Sequence, residues 1–408
     1  MLENMGVVSN VSFRDLVSEI SSTTYATHAL YMYPAKFIPQ VIRYVINNYS
    51  EPGDWLFDPF AGYGTVAIEA SLTGRNAILW DLNPITEVMV KASTFRGELR
   101  LSYFDVDWGF NRPYRPLWSN IHYWHPRDFY DALSRAWGWW HYNVPAELKP
   151  VVAIPLLKVT RFFSYADLEV AKLYKSKIAV ERVSTLLKGD WRQKMMNMYW
   201  DYAKQTIEKI RDYQSRNPKD VEIIVKAGVD SLNMVLDRDV DVLITSPPYL
   251  QAQEYIRSFK LELAWLGFGN KLTELARHEI PYNNPPHARV NSDIYIKVRN
   301  EVRKLGHEKL LGIYDAYFKS LARFIDNNHE RVRKVIAIFV GPTKIRNIRV
   351  QIDEILREHL ESLGWEHVET LIDTIVSRRL FKVQKNPATG LKDERTPSEH
   401  LLVMKSKR

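Results

Sequence analysis

The chain has 408 residues, 46% hydrophobic and 25% charged, a balance that suits a folded protein of two domains or one domain with an insertion. It contains no cysteine, which excludes disulfides, cysteine-ligated zinc, iron–sulfur clusters and a thiolate nucleophile. A net charge of +8 permits a polyanionic partner; no run reaches transmembrane length and MLENMGVVSN lacks a signal-peptide pattern, so a cytoplasmic protein is expected. The missing thiols also point, weakly, to a thermophilic source.

Residues 36–49 (KFIPQVIRYVINNY) carry apolar side chains at helical spacing. WLFD (55–58) reads as a short buried strand, followed by the loop DPFAGYGT and a helix from Thr65 to Leu72 that stops at Gly74. NAILW (76–80) reads as the next strand, ending at Asp81. Together these make a βαβ unit, which favours a parallel sheet and a right-handed crossover. From 96 to 219 the texture changes: the segment holds eight of the twelve tryptophans, few strand patterns and a long amphipathic pattern near 190–214. It is predicted to be an inserted, mainly helical subdomain, between parts 1–95 and 220–408 of a catalytic domain. Further strands are predicted at 221–225, 240–244 and 334–340, with helices within 254–266, 308–326 and 350–363. The polar stretch 269–306 (PYNNPPHARVNS at its centre) is predicted to be a mobile loop. Alternating strands and helices imply an α/β, doubly wound sheet.

In DPFAGYGT, Gly62 and Gly64 sit where a strand turns into a helix, and glycine there allows positive φ and close approach of a ligand. A carboxylate at the end of the second strand, Asp81, can take both hydroxyls of a ribose. The bland alternative is a tight turn with no ligand. The loop lacks the third glycine of a dinucleotide fingerprint and the Lys-Ser/Thr of a phosphate loop. A nucleoside without phosphates fits better, and S-adenosylmethionine (SAM) is the candidate cofactor. The second motif is VLITSPPYLQ (242–251), where a proline pair ends a buried strand. It places the Ser246 hydroxyl, the Pro247 carbonyl, Pro248 and the Tyr249 ring just past that strand.

DPFAGYGT together with TSPPY resembles the amino-methyltransferases of DNA, and the TSPPY form resembles especially the cytosine-N4 methyltransferases of restriction–modification systems. MYPAKFIP (32–39) looks like the family's segment that closes over the methionine end of SAM, AGVDSL (227–232) like the turn whose Asp reads the adenine amino group, and IVSRRLFKVQKNP (375–387) like its late loop near the target base. The resemblance implies a Rossmann-like SAM-dependent methyltransferase sheet. It also implies cofactor contacts from Lys36, Asp58, Phe60, Gly62, Tyr63, Gly64, Thr65, Asp81, Leu82, Asn83, Asp230 and Ser231. Double-stranded DNA would be the partner, with Arg378, Arg379, Lys382 and Lys385 on it, although a merely solvated face stays open for the two arginines. No metal is expected, and a cognate restriction endonuclease acting on the same site is implied. Two features depart from the family: Tyr63 stands where a small residue is usual, and the largest insertion falls between the second and third strands.

The chemistry follows from the target. The amino group of cytosine is a poor nucleophile, because its lone pair is delocalised into the ring. Two acceptors, Ser246 Oγ and the Pro247 carbonyl, would hold its two N–H bonds while the nitrogen becomes tetrahedral. Tyr249 can stack on the base, which must be flipped out of the duplex. The proton leaves to water or to a neighbouring acceptor. Without cysteine, cytosine-C5 methylation through a thiolate adduct is excluded. An adenine-N6 enzyme would use the same geometry but usually carries Asp in place of Ser246. A guanine-N2 tRNA methyltransferase shares that preference and usually has an N-terminal RNA-binding domain, for which the residues before the glycine loop leave no room. A catalytically inactive DNA-binding subunit would show eroded motifs. The tryptophans read as core more readily than as stacking platforms, and His28 and His125 carry no assignment.

Overall fold

Runs rich in valine and isoleucine fold into strands because branched side chains pack well on a pleated surface. The computed structural model describes residues 6–20, 22–170, 172–250, 254–374 and 398–407. Among them the strands are β1 (Val7–Val11), β2 (Trp55–Asp58), β3 (Asn76–Asp81), β4 (Ile223–Ala227), β5 (Val240–Thr245), β6 (Val332–Val340), β7 (Thr343–Ile345), β8 (Ile348–Val350), β9 (Trp365–Thr374) and β10 (Ser398–Ser406). β7 and β8 pair with each other, and the other eight form one sheet in the order β1-β9-β10-β6-β5-β2-β3-β4. β10 runs antiparallel to both its neighbours, and every other pairing in this sheet is parallel. This is a doubly wound, Rossmann-like sheet. Strand order reverses between β2 and β5, which makes the cleft beyond their carboxyl ends the place for a ligand.

Period-two alternation decides which face each strand residue covers. Val335, Ala337 and Phe339 of β6 pack with Val41, Ile42 and Val45 of helix Pro39–Tyr49 and Val66 of helix Thr65–Thr73. Their alternates Ile336, Ile338 and Val340 face Tyr317, Phe318 and Leu321 of helix Glu308–Asn328 and Ile355 of helix Ile352–Ser362. Burying each such aliphatic side chain contributes about 1.5–3 kcal/mol, so helices on both faces hold the sheet shut.

Segment 96–219 is built on helices Arg127–Asn143, Lys149–Phe162, Lys177–Leu187 and Trp191–Ser215. Its core runs without a break into Tyr63, Ile85 and Met89 beside the sheet and into Trp265. Trp124, Trp137, Trp139 and Trp140 are buried there. Trp137 stacks on Trp265 at 6.2 Å and donates Nε1–H to Thr160 Oγ1 at 2.9 Å. Arg161 and Glu262 form a buried ion pair at 2.8 Å, and the Tyr31 hydroxyl donates to the same carboxylate at 2.9 Å. One contact thus joins the N-terminal segment, the helical segment and the run after β5.

The stretch 269–306 differs from the mobile loop expected of it. It contains helices Leu272–Arg277 and Asp293–Lys304, and Ser292 Oγ caps the second by accepting Tyr295 N–H at 2.9 Å. Tyr295, Val298 and Val302 recur at helical spacing and are buried, and Arg299 makes a two-pronged contact with Asp315 (2.7 and 2.6 Å). The prolines and asparagines upstream hid a short amphipathic helix. No helix among the described residues is long and apolar enough to cross a membrane.

Candidate active site

Four consecutive strands of the sheet, β4, β3, β2 and β5, end on one cavity, where open α/β sheets take their ligands. Its lining includes Phe60 and Gly62 after β2, Asp81, Leu82 and Asn83 after β3, Asp230 and Ser231 after β4, and Ser246 and Pro248 after β5. Lys36 and Tyr63, also expected from the sequence, line it too. The glycine loop and the proline motif lie 180 residues apart in the chain, yet they share this cavity. A direct bond joins them below it: the Thr245 hydroxyl donates to Asp58 Oδ1 at 2.7 Å, and Phe60 N–H reaches the same oxygen at 3.1 Å. Burial pushes the Asp58 carboxyl up to about 7.

Asp81 is positioned by the loop it faces. Its Oδ2 accepts Gly62 N–H at 2.6 Å and its Oδ1 accepts Asn83 N–H at 2.7 Å. Burial raises this carboxyl to about 6 against the pull of those two bonds. Gly62 has φ +52°, and a Cβ there would sit 3.1 Å from the Tyr33 ring, so only glycine leaves this wall open. Asn83 lines the cavity beside Tyr33, with its side-chain amide nitrogen buried. Ser231 Oγ donates to the Pro59 carbonyl at 2.7 Å, and Asp230 accepts Leu232 N–H at 3.1 Å and Asn233 Nδ2–H at 2.6 Å.

Residues 25–38 roof one side of the cavity. Buried Glu69 anchors them, accepting from His28 Nε2 at 2.7 Å, from Arg43 Nη2 at 2.6 Å and from the Tyr25 hydroxyl. The Tyr63 hydroxyl reaches the same segment, donating to Thr27 O at 2.5 Å and accepting Leu30 N–H at 3.0 Å. The large residue in the glycine loop therefore points into the roof and fastens it. Ala35 in this segment is a non-glycine residue at φ +49°, a strained conformation that lines the cavity. The Lys36 ammonium donates to the His28 carbonyl and lies 5.0 Å from the Tyr63 ring centre; burial, helped by Lys209, lowers it to about 8.

Five expected residues do not line the cavity. Asp58 sits beneath it as the clamp described above. Gly64 and Thr65 start helix Thr65–Thr73 away from it. Gly64 is glycine for packing: at φ +86°, a Cβ would lie 2.3 Å from Val90 Cγ2. Tyr249 turns aside, its hydroxyl donating to Glu399 of β10 at 2.6 Å, a bond that competes with stacking on a base. The Pro247 ring lines a second, apolar cavity with Phe324, Ile325 and Ile338. Arg378, Arg379, Lys382 and Lys385 lie outside the described residues. The sequence offered no signal for Tyr255, Ile256, His278, Glu279 or Ile280, which complete the roof, Tyr255 stacking on Tyr33. They carry no motif and are brought there by packing of the run after β5.

Comparison with known proteins gives the same direction. Residues 10–91 match a family model for N6/N4 methyltransferases described as DNA methylase. The chain is 25% identical over 293 residues to Type II methyltransferase M.BsoBI of Geobacillus stearothermophilus, covering 63% of this chain and 56% of the relative. It is 24% identical over 275 residues to Type II methyltransferase M.MvaI of Kocuria varians, covering 60% and 59%. A segment of 92 residues is 32% identical to Type II methyltransferase M.MjaII of Methanocaldococcus jannaschii, covering 22% of this chain and 16% of the relative. The matches span less than two thirds of each relative. They support the resemblance carried by the motifs: the chain is related to the DNA amino-methyltransferases of restriction–modification systems. SAM is the cofactor this family implies, and the cavity suits it. Asp81 offers a carboxylate to a ribose, Lys36 a cation to the methionine carboxylate, and Phe60, Leu232 and Ile280 apolar walls.

Proposed function

We propose that this chain methylates the exocyclic N4 amine of a cytosine flipped out of duplex DNA, using SAM. The observation that carries this reading is the shared cavity: Ser246 and Pro248 of the proline motif line the same space as Gly62, Asp81 and Lys36. Donor and acceptor would then meet at the carboxyl edge where β2 and β5 diverge.

When bound, SAM supplies an electrophilic methyl group. The chain's own residues do the rest. Asp81 would hold the ribose, Lys36 the carboxylate end, and Asp230 the adenine amino group. Ser246 Oγ and the Pro247 carbonyl would each accept one N–H of the target amine, and these bonds strengthen as nitrogen becomes tetrahedral. The Asp58–Thr245 bond (2.7 Å) holds the proline motif in register with the glycine loop. The serine in TSPPY favours cytosine over adenine. Duplex DNA as partner, a cognate endonuclease and target reading by segment 96–219 belong to the same proposal.

The test is to incubate the protein with methyl-labelled SAM and unmethylated bacterial DNA, hydrolyse, and identify the labelled nucleoside. N4-methylcytosine is expected, and Ser246→Ala should lower kcat by about a hundredfold, as loss of one oxyanion-hole donor does. N6-methyladenine would contradict the cytosine assignment. Full activity in Ser246→Ala would contradict the mechanism.

A further inference from the structure

The proposed reaction leaves one proton without a named destination. Methyl transfer forms an N–C bond from the nitrogen lone pair and breaks the donor's S–C bond, whose electron pair stays on sulfur. The nitrogen is then cationic. Breaking one of its N–H bonds returns a pair to nitrogen, and the released proton needs an acceptor. Neither Ser246 nor a proline carbonyl is basic enough to keep it at neutral pH.

Three carboxylates line the cavity: Asp81, Asp230 and Glu279. Asp81 gives one oxygen each to Gly62 N–H and Asn83 N–H, and Asp230 gives its two to Leu232 N–H and Asn233 Nδ2–H. Glu279, 8% exposed, accepts Ile256 N–H through Oε1 at 2.8 Å and also faces Tyr255 N–H. It lines the cavity alongside Tyr255 and Ile256, in the same space as Ser246 and Pro248. Resting on the methyltransferase reading, we propose that the Glu279 carboxylate is the acceptor of the amine proton.

The surroundings suit the role. Burial first, and Glu254 second, push this carboxyl up to about 7, while Ile256 N–H, Tyr255 N–H and the Lys260 charge pull the other way. His278 faces away to Asp230 (3.3 Å), and Tyr255 and Tyr282 are the remaining ionisable neighbours. A base with a pKa near the working pH is both ionised and able to hold the proton. A capping role alone would need only an acceptor oxygen facing the Ile256 and Tyr255 N–H groups. Glutamine provides that oxygen but cannot take a proton, so Glu279→Gln separates the two roles.

The experiment measures single-turnover methylation of unmethylated bacterial DNA from pH 5.5 to 9, together with SAM affinity by calorimetry. The wild-type rate should rise with pH through an ionisation near 7. Glu279→Gln should lose that limb and about a hundredfold in rate, with SAM affinity changed less than twofold. A retained limb, or a loss in SAM affinity equal to the loss in rate, overturns the proposal. Carbon-13 NMR of glutamate-labelled wild type provides a readout independent of the variant's folding and of activity: one carboxyl should titrate between pH 6 and 8, and its absence overturns the proposal. A wild type that methylates no DNA removes the reading itself and the inference with it; an active wild type with an unaltered Gln variant removes the inference alone.

Discussion

The floor and the roof of the cavity are built in different ways. The floor is made of strand ends: Asp81 closes β3, and Gly62, Asp230 and Ser246 each follow a neighbouring parallel strand, so ladder hydrogen bonds fix their spacing. The roof is made of two segments far apart in sequence, 25–38 and 254–280, held by buried charges on Glu69 and Glu262. Sheet geometry makes the floor rigid wherever its residues occur. The roof stays in place only while its ion pairs are complete, because removing one partner leaves an unpaired buried charge.

The largest effect should therefore come from the roof. Arg161→Met leaves Glu262 buried without its guanidinium and should cost about 3–5 kcal/mol of stability, read from urea unfolding. Replacing both partners by apolar residues of similar size should recover most of that loss. If the single variant is as stable as wild type, the roof is held by packing alone.

The same contrast explains what could be read from the sequence. The floor was legible because each of its residues sits in a short motif at a strand end, and the periodic strands around it place those motifs. The βαβ unit at 55–81 and strands β5 and β6 follow their apolar runs closely. β9 and β10 were missed: β9 alternates apolar residues with Glu366, Glu369 and Asp373, and β10 is a short apolar run near the C-terminus. The 254–280 part of the roof could not be read, since Glu279 and Tyr255 have no spacing that marks them. Gly64 is hard to read for a related reason: a glycine needed for close helix packing looks, in sequence, like one needed for a ligand.

Gly64 sharpens the comparison from the floor side. Gly64→Val should destabilise the fold by about 1–3 kcal/mol, through a clash with Val90 and a strained positive φ. A double variant with Val90→Ala should recover part of the loss by thermal melting. A stable Gly64→Val that has lost SAM binding would return this glycine to the ligand site.

Tyr249 offers a smaller effect. If its hydroxyl bond to Glu399 (2.6 Å) matters more than stacking, Tyr249→Phe should lose on the order of 1–2 kcal/mol of stability. Activity that falls only in Tyr249→Ala, with an unaffected Phe variant, would restore the stacking role.

The account depends most on Asp81, the carboxylate on which floor and cofactor meet. Calorimetric titration of SAM into wild type and Asp81→Asn, with matched melting curves, tests it directly. The variant should lose about 1.5–3 kcal/mol of binding free energy, roughly tenfold to a hundredfold in affinity. Because burial raises Asp81 to about 6, wild-type affinity should also weaken as pH falls through that value and this carboxylate takes up a proton, and the variant should lack that dependence. Unchanged affinity in a folded Asp81→Asn, at every pH, would contradict the placement of the cofactor at the β2–β5 switch point.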